Sequence, residues 1–324
     1  MDVTSSNSKR LVIVSGRAHP ALAKEVADLL NTSLVPTTAY DFANGETFVR
    51  YEESVRGVDA FVIQSHAAGI NNWVMEQLLM VDALKRASAK RITVVAPFFP
   101  YGRQDKKHKG REPISARLMA DLYKAAGANR IMSVDLHAPQ IQGFFDGPVD
   151  HLWALPMLAD YVAEKYGNEN LTVVSPDSGR VRVADIWAER LGAPLAIIHK
   201  RRDPDVPNQV SSHELVGDVK GRTCLLVDDM IDTAGTIVAA AKALKDNGAK
   251  SVIVAATHAV FSNPAVERLS SGAVDQVIVT NTLPITPEKQ FENLTVLSIA
   301  PLIAAAISAV FSDDSVNKLF PGHA

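Results

Sequence analysis

The chain has 324 residues, 47% hydrophobic and 21% charged, which is long for one domain and ordinary for a globular enzyme. A net charge of −3 supplies no general pull toward nucleic acid, and none is expected as a partner. The single cysteine, Cys224, excludes an intramolecular disulfide and fits a reducing compartment, so a cytoplasmic location is expected. Met1–Arg10 is polar and lacks the apolar core of a signal peptide. The apolar run Leu294–Phe311 is interrupted by Pro301, so it reads as a strand, Thr295–Ile299, and a helix from Leu302 rather than a membrane span.

In chain order, Leu11–Val14 reads as a strand ending at Ser15-Gly16-Arg17, and Pro20–Leu30 as a helix with Leu22, Val26, Leu29 and Leu30 on one face. A polar turn, Asp41–Glu46, precedes a β-ribbon arm, Thr47–Tyr51. Strand Ala60–Ile63, helix Asn72–Ala87 and strand Arg91–Ala96 lead into the loop Phe98–Arg111. Helix Ile114–Ala126 and strand Arg130–Val134 follow, the strand ending in Asp135-Leu136-His137. The next helix, Leu152–Tyr166, is placed near a domain junction. Strand Leu171–Val174 ends in Ser175–Arg180, then come helix Val183–Leu191 and strand Leu195–Ile198. The polar stretch His199–Glu214, with two prolines, reads as mobile. Strands Thr223–Val227, Ser251–Ala255 and Gln276–Val279 complete the alternation.

Strand–helix alternation of this kind predicts an α/β fold with a mainly parallel sheet in each half. A weak internal echo suggests duplication. Val12–Ser15 resembles Thr172–Ser175, Ala60–Gln64 sits where Cys224–Asp228 would in a second copy, and Arg91–Ala96 answers Lys250–Ala255.

The most informative stretch is Thr223–Thr236. Five strand-compatible residues end in adjacent carboxylates, Asp228 and Asp229, followed by the turn Asp232-Thr233-Ala234-Gly235-Thr236. A helix then runs through Ile237, Ala240, Ala241 and Leu244. A strand's carboxyl end and the next helix's amino end form the ligand crevice of parallel α/β sheets. The turn offers N–H groups and hydroxyls to a phosphate, and the acid pair suits two neighbouring sugar hydroxyls. Simple helix capping by Asp232 or Thr233 is the plainer alternative. If the duplication holds, Ser65–Asn71 is the first half's counterpart, and without an acid pair it binds no sugar.

Other constellations leave more open. The cluster Arg103–Lys109 could hold polyphosphate oxygens or be a solvated face. Asp135, His137 and Asp177 suit a magnesium-associated site only loosely, since Mg²⁺ prefers oxygen; His137 could equally be a structural hydrogen-bonding residue. His199–Pro204 could close over a phosphoryl group in transit or be an exposed basic loop. No Walker-type or kinase-type glycine loop is present.

Taken together, the segments resemble the ribose-phosphate diphosphokinases, also called phosphoribosyl pyrophosphate synthetases, of the phosphate-activated, magnesium-dependent class. The resemblance runs from Val12 to Phe320. It is carried by Ser54–Gly57, Arg86–Ala89, Tyr101–Asp105, Asp135–His137, Gln140–Phe145, Ser175–Asp177 and Val227–Thr236. Phe42–Glu46 and Pro176–Arg180 are worded as in actinobacterial members.

The family implies two phosphoribosyltransferase-like domains, residues 1–151 joined by 302–324, and 152–301. It implies transfer of the β,γ-diphosphoryl group of ATP to the C1 hydroxyl of ribose 5-phosphate, with Mg²⁺ and release of AMP. By resemblance, Asp228, Asp229, Asp232, Thr233, Ala234, Gly235 and Thr236 bind ribose 5-phosphate. Phe42, Asn44 and Glu46 contact adenine from a neighbouring subunit, and Arg103 and Gln104 form the ATP loop. His137 and Asp177 are magnesium-associated, His137 beside ATP, and Lys200 and Arg202 form the catalytic cationic pair. Ser54, Arg56, Ser88 and Ser315 match an effector site for phosphate or ADP between subunits of a hexamer. The chain departs from the family pattern at Arg180, where many members carry glycine, at His108, where others carry an acid, and at Asn317, where serine is common. Arg180 is expected to narrow the sugar-side pocket. A plain phosphoribosyltransferase would share the acid pair and turn but not need the second basic loop or the Phe42 turn. A non-catalytic regulatory relative would be expected to show a disrupted cradle.

Overall fold

The structure, a computed structural model, describes residues 9–167, 170–202 and 210–320, with the backbone alone over 200–202 and 210–214. In chain order the elements are β1 (Leu11–Ser15), α1 (Pro20–Leu29), β2 (Thr37–Asp41), β3 (Thr47–Tyr51), β4 (Asp59–Ile63), α2 (Ile70–Arg86), β5 (Arg91–Val95), α3 (Ser115–Ala126), β6 (Arg130–Val134) and β7 (Val149–Leu152). Then follow α4 (Leu155–Tyr166), β8 (Leu171–Ser175), α5 (Val181–Leu191), β9 (Leu195–Arg202), β10 (Val210–Val216), β11 (Thr223–Ile231), α6 (Gly235–Asp246), β12 (Ser251–Ala259), α7 (Ala265–Leu269), β13 (Gln276–Thr280), β14 (Leu294–Leu297) and α8 (Ala300–Phe311). The central strands are apolar without alternation because helices cover both sheet faces; β4 is buried at every position.

Two compact units emerge. One runs through Trp153 and takes in Thr282–Pro284 and the residues from Ile299 on; the other comprises Ala154–Asn281 and Ile285–Ser298. The first holds a five-stranded parallel sheet in the order β1-β4-β5-β6-β7, plus the antiparallel ribbon β2–β3. The second holds a seven-stranded sheet, β10-β9-β8-β11-β12-β13-β14, parallel except for the β10–β9 pair.

Strip β9 and β10 from the second sheet and the two orders coincide strand for strand, as duplication requires. The registers agree as well. Ala60 pairs with Val12 as Cys224 pairs with Thr172, so Gln64 stands at the position of Asp228. One echo needs shifting by a residue. Ala60 faces Ile92 while Cys224 faces Val252, so Arg91 answers Ser251 rather than Lys250.

Several element boundaries differ from the sequence expectation. The helix expected from Leu152 begins at Leu155, with a proline in its first turn, because Val149–Leu152 is the fifth strand, pairing with β6. The stretch read as a mobile loop is largely ladder: β9 continues through Arg202 and its backbone pairs antiparallel with β10. Residues 203–209 lie outside the described ones. α8 starts at Ala300, earlier than expected, with Pro301 in its first turn, where a missing N–H costs nothing. Cys224 is buried in β11, and burial pushes its thiol up to about 11, which leaves it inert. Among the described residues no helix is long and apolar enough to cross a membrane.

Candidate active site

The expected strand Thr223–Val227 is longer than its sequence pattern implied. β11 runs to Ile231 because its ladder with β12 continues to Ile231–Ala259, whereas its ladder with β8 stops at Leu226–Val174. From Val227 onward one edge of β11 therefore has no β8 partner. Asp228 and Asp229 sit on that overhang rather than beyond the strand's end.

An arginine from the β8–α5 loop engages both acids. Arg180 Nε lies 3.0 Å from Asp228 Oδ1, and Nη2 donates to Asp229 Oδ1 at 2.5 Å. Asp228 Oδ1 also accepts the N–H of Asp229 at 2.8 Å. Burial and the neighbouring carboxylate push the Asp228 carboxyl well above its ordinary value; Arg180 opposes that rise.

Three residues on, the chain turns into α6. Its capping residue is Ala234, at φ +58°, whose side chain makes no cap hydrogen bond, so neither Asp232 nor Thr233 occupies the capping position. The first N–H groups of α6 lack intrahelical acceptors and carry the positive end of the helix dipole. Thr233 and Thr236 are exposed beside them, while Ile237, Ala240, Ala241 and Leu244 are buried and anchor the helix. Arg268, from α7, donates to the Thr233 carbonyl at 2.9 Å, and a Cβ on Gly235 would stand 3.2 Å from its Nη1. Glycine at 235 thus lets a cation approach the turn. The arrangement offers a phosphate seat at residues 233–236, beginning four residues after Asp229, the second of a pair of hydroxyl acceptors.

Asp177 belongs to the same unit. Its Oδ1 accepts the Gly179 N–H at 2.9 Å, and its carbonyl accepts the Ser175 hydroxyl at 2.7 Å, which fixes the loop that carries Arg180. Lys200 and Arg202 lie on β9, where their backbones pair with His213 and Val210. Their side chains lie outside what the structure describes.

The remaining predicted residues belong to the first unit. At the β2–β3 tip, Phe42 and Glu46 close the turn through Phe42 N–H to Glu46 O, 2.8 Å, and Asn44 Oδ1 accepts the Glu46 N–H at 3.2 Å. Phe42 is 46% exposed yet held edge-on by Tyr40 and Phe48, with centroids 5.3 and 6.1 Å away, so a fixed aromatic face meets solvent. Gln104 Oε1 accepts the Ser115 hydroxyl at 2.6 Å, and Arg103 beside it is exposed. A Cβ on Gly102 would lie 3.6 Å from that of His137, so the Arg103–Gln104 loop and His137 come together. No group of three or more metal-ligating side chains is found among the described residues.

Ser54 and Arg56 line a cavity of about 390 Å³ between β3 and α2. Ser88, in left-handed conformation at φ +65°, accepts the Gly57 N–H through its carbonyl at 2.8 Å. Arg10 donates to the Ser54 carbonyl and Lys9 pairs with Asp313, two residues before Ser315. Two groups escaped the sequence reading. Arg180 was noticed only as bulk near the sugar, and Arg268 not at all; neither has a spacing that ties it to its partner.

The comparisons agree with one another. Residues 11–127 match a family model described as the N-terminal domain of ribose phosphate pyrophosphokinase, and residues 204–321 one described as a phosphoribosyl synthetase-associated domain. The chain is 65% identical to a ribose-phosphate pyrophosphokinase of Streptomyces coelicolor, covering 98% of each chain. It is 61% identical to one of Mycobacterium tuberculosis, covering 99% of this chain and 98% of the other. A solved phosphoribosylpyrophosphate synthetase of Mycobacterium smegmatis superposes with a TM-score of 0.90 at 62% identity, over 94% of this chain and all of that one. The chain belongs to the ribose-phosphate pyrophosphokinase family.

Proposed function

We propose that the chain transfers the β,γ-diphosphoryl group of Mg-ATP to the C1 hydroxyl of D-ribose 5-phosphate, giving 5-phospho-α-D-ribose 1-diphosphate and AMP. The observation that carries this reading is the β11–α6 segment. It joins an acid pair on an open strand edge to a helix start whose capping residue is an alanine, in a chain whose relatives bear that enzyme's name over 98% of their length.

In this reading Asp228 and Asp229 accept hydrogen bonds from the ribose 2- and 3-hydroxyls. Asp232 and the turn Thr233–Thr236 seat the 5-phosphate at the α6 dipole. That grip fixes the C1 hydroxyl for in-line attack on the β-phosphorus. A new bond forms from the C1 oxygen to that phosphorus as the bond to the α,β-bridging oxygen breaks; the hydroxyl proton is released to solvent, and AMP leaves with the electron pair. Charge spreads over the phosphoryl oxygens and AMP, so the chain's task is positioning and charge stabilisation.

Arg103 and Gln104 hold ATP phosphates, Phe42 stacks on adenine with Asn44 and Glu46 beside it, and Lys200 and Arg202 steady the diphosphate in transit. Asp177 supplies a hard oxygen donor and His137 a nitrogen beside the ATP loop. With no all-protein cage among the described residues, such a set fits a Mg²⁺ held largely by substrate phosphates. When bound, that ion neutralises charge on the β- and γ-phosphates. Phosphate and ADP act as effectors through Ser54, Arg56, Ser88 and Ser315, in a cytoplasmic homo-oligomer, a hexamer in the family's pattern.

The purified chain mixed with Mg-ATP and ribose 5-phosphate should yield AMP in one-to-one ratio with the sugar diphosphate. ADP and inorganic phosphate instead would sink the proposal. Lys200→Ala should lower kcat by about 100- to 1,000-fold, the usual cost of a lost transition-state charge stabiliser.

A further inference from the structure

We propose that Arg180 is a positioning residue for the sugar: its guanidinium bridges Asp228 and Asp229 and aims both as acceptors for the two adjacent ribose hydroxyls. The proposal rests on the reading of the β11–α6 segment as the ribose 5-phosphate site.

Two side-by-side carboxylates on a mostly buried strand overhang repel each other and lose hydration, and a sugar diol, being neutral, relieves neither problem. A single guanidinium can serve both, because its fork presents several donors in fixed geometry. Arg180 does so, with Nε on Asp228 and Nη2 on Asp229. Both bonds end on an Oδ1 atom. The Arg180 side chain is 17% exposed and those of Asp228 and Asp229 18% and 8%, so water screens the contact poorly. The loop that carries the arginine is itself fixed. Asp177 Oδ1 takes the Gly179 N–H and the Arg180 N–H points at the Asp177 carbonyl, 3.4 Å away.

Among the described residues, the charged groups that act on Asp228 are Asp229 on its own strand and Arg180 from the β8–α5 loop; its ladder partner on β12 is Ala256. Take away the arginine and burial plus the second acid are opposed by the Asp229 N–H alone, so the carboxyl takes up a proton more readily. A protonated acid has lost acceptor capacity. The deficit should therefore appear at low pH and fade as pH rises.

Arg180→Gly, Arg180→Gln and Arg180→Lys should be assayed with ribose 5-phosphate and Mg-ATP at pH 7 and pH 9, with Asp228→Asn alongside. Glycine and glutamine should raise the KM for ribose 5-phosphate by about tenfold at pH 7, the usual effect of weakening one hydrogen bond to a charged group, and less at pH 9. The KM for ATP should hold, kcat at saturating sugar should change less than KM, and lysine should restore part of the loss. Glutamine and lysine keep most of arginine's length and carry the test should the glycine chain not fold. An unchanged sugar KM, an equal rise at both pH values, a matching rise in the KM for ATP, or lysine no better than glutamine would overturn the role. If Asp228→Asn also leaves the sugar KM untouched, the site assignment itself is wrong. If Asp228→Asn loses sugar affinity and the Arg180 variants do not, only the inference about Arg180 fails.

Discussion

The two strand-to-helix turns, β4–α2 and β11–α6, occupy the same place in the same strand order, yet one is filled and the other is open. In both halves an arginine from the loop after the first strand reaches into the crevice and meets acid. Arg17 pairs with Glu76, from within α2, and with Asp41 on the ribbon at 2.7 Å. Arg180 pairs with Asp228 and Asp229 on β11. Gln64 stands at the Asp228 position, and its amide is consumed internally, with Nε2 2.8 Å from Glu76 and Oε1 accepting the Ala18 N–H at 3.2 Å. A Cβ on Gly16 would come within 2.2 Å of that amide. β4 is laddered on both sides to its last residue, Ile63, whereas β11 outruns β8. A carboxylate contributed by the helix closes its crevice; carboxylates contributed by an overhanging strand are bridged by Arg180 from the neighbouring loop. The two copies of one fold thus differ in which element carries the acid.

That contrast breaks most visibly at Glu76. The side chain is fully buried, accepting the Arg17 N–H at 2.7 Å as well as the two side-chain partners. Glu76→Ala should destabilise the chain by about 3 kcal/mol, the low end for breaking a buried pair because Arg17 remains 31% exposed. Chemical denaturation measures it. The KM for ribose 5-phosphate should not move; a large rise would mean the two turns are not functionally distinct.

Asp228→Ala should do the reverse. A hydrogen bond to a charged group is worth roughly 1.5–3 kcal/mol, so kcat/KM for the sugar should fall by about ten- to a hundredfold. Stability should hold or rise, since one of two repelling acids is gone. In the wild-type chain, sugar affinity should increase with pH through the titration of the upward-shifted Asp228 carboxyl and then level off. A flat profile from acid to alkaline pH would place the diol elsewhere.

Much of this was legible in the chain because its signals are local. Asp228-Asp229 followed by Thr-Ala-Gly-Thr and an apolar helix lies within one continuous stretch, and strand–helix alternation marks the parallel sheets. What escaped depended on partners far along the chain. The length of β11 is set by β12, some thirty residues on, and two acids read alone as a strand's end. β7 blended into the helix after it, since Leu152 and Leu155 share helical spacing. β9 and β10 looked too polar for a ladder, but the β10–β9 pair lies at the edge of the sheet, where polar strands are tolerated. The Arg180 clamp joins residues nearly fifty positions apart, and no spacing rule reports it.

The smallest effect tests the two helix starts themselves. Both capping residues are left-handed, Gly69 at φ +80° and Ala234 at φ +58°. Left-handed backbone costs a non-glycine residue roughly 1–2 kcal/mol. At 69 a Cβ would meet nothing closer than Trp73 Nε1 at 3.9 Å, so Gly69→Ala bears only that strain, less the chain entropy it saves. A loss of about 0.5–1 kcal/mol should result. Ala234 is 4% exposed and packs into the core of its unit, and a buried methyl contributes about 0.8 kcal/mol. In Ala234→Gly, relief of strain is offset by the lost methyl and by the freer unfolded chain, so stability should change by less than about 0.5 kcal/mol. The β11–α6 turn keeps an alanine in an unfavourable conformation because its methyl ties the turn to the core beneath. If glycine at 234 stabilised the chain by more than about 1 kcal/mol, that anchoring would be disproved, and the strain in the open turn would need another cause.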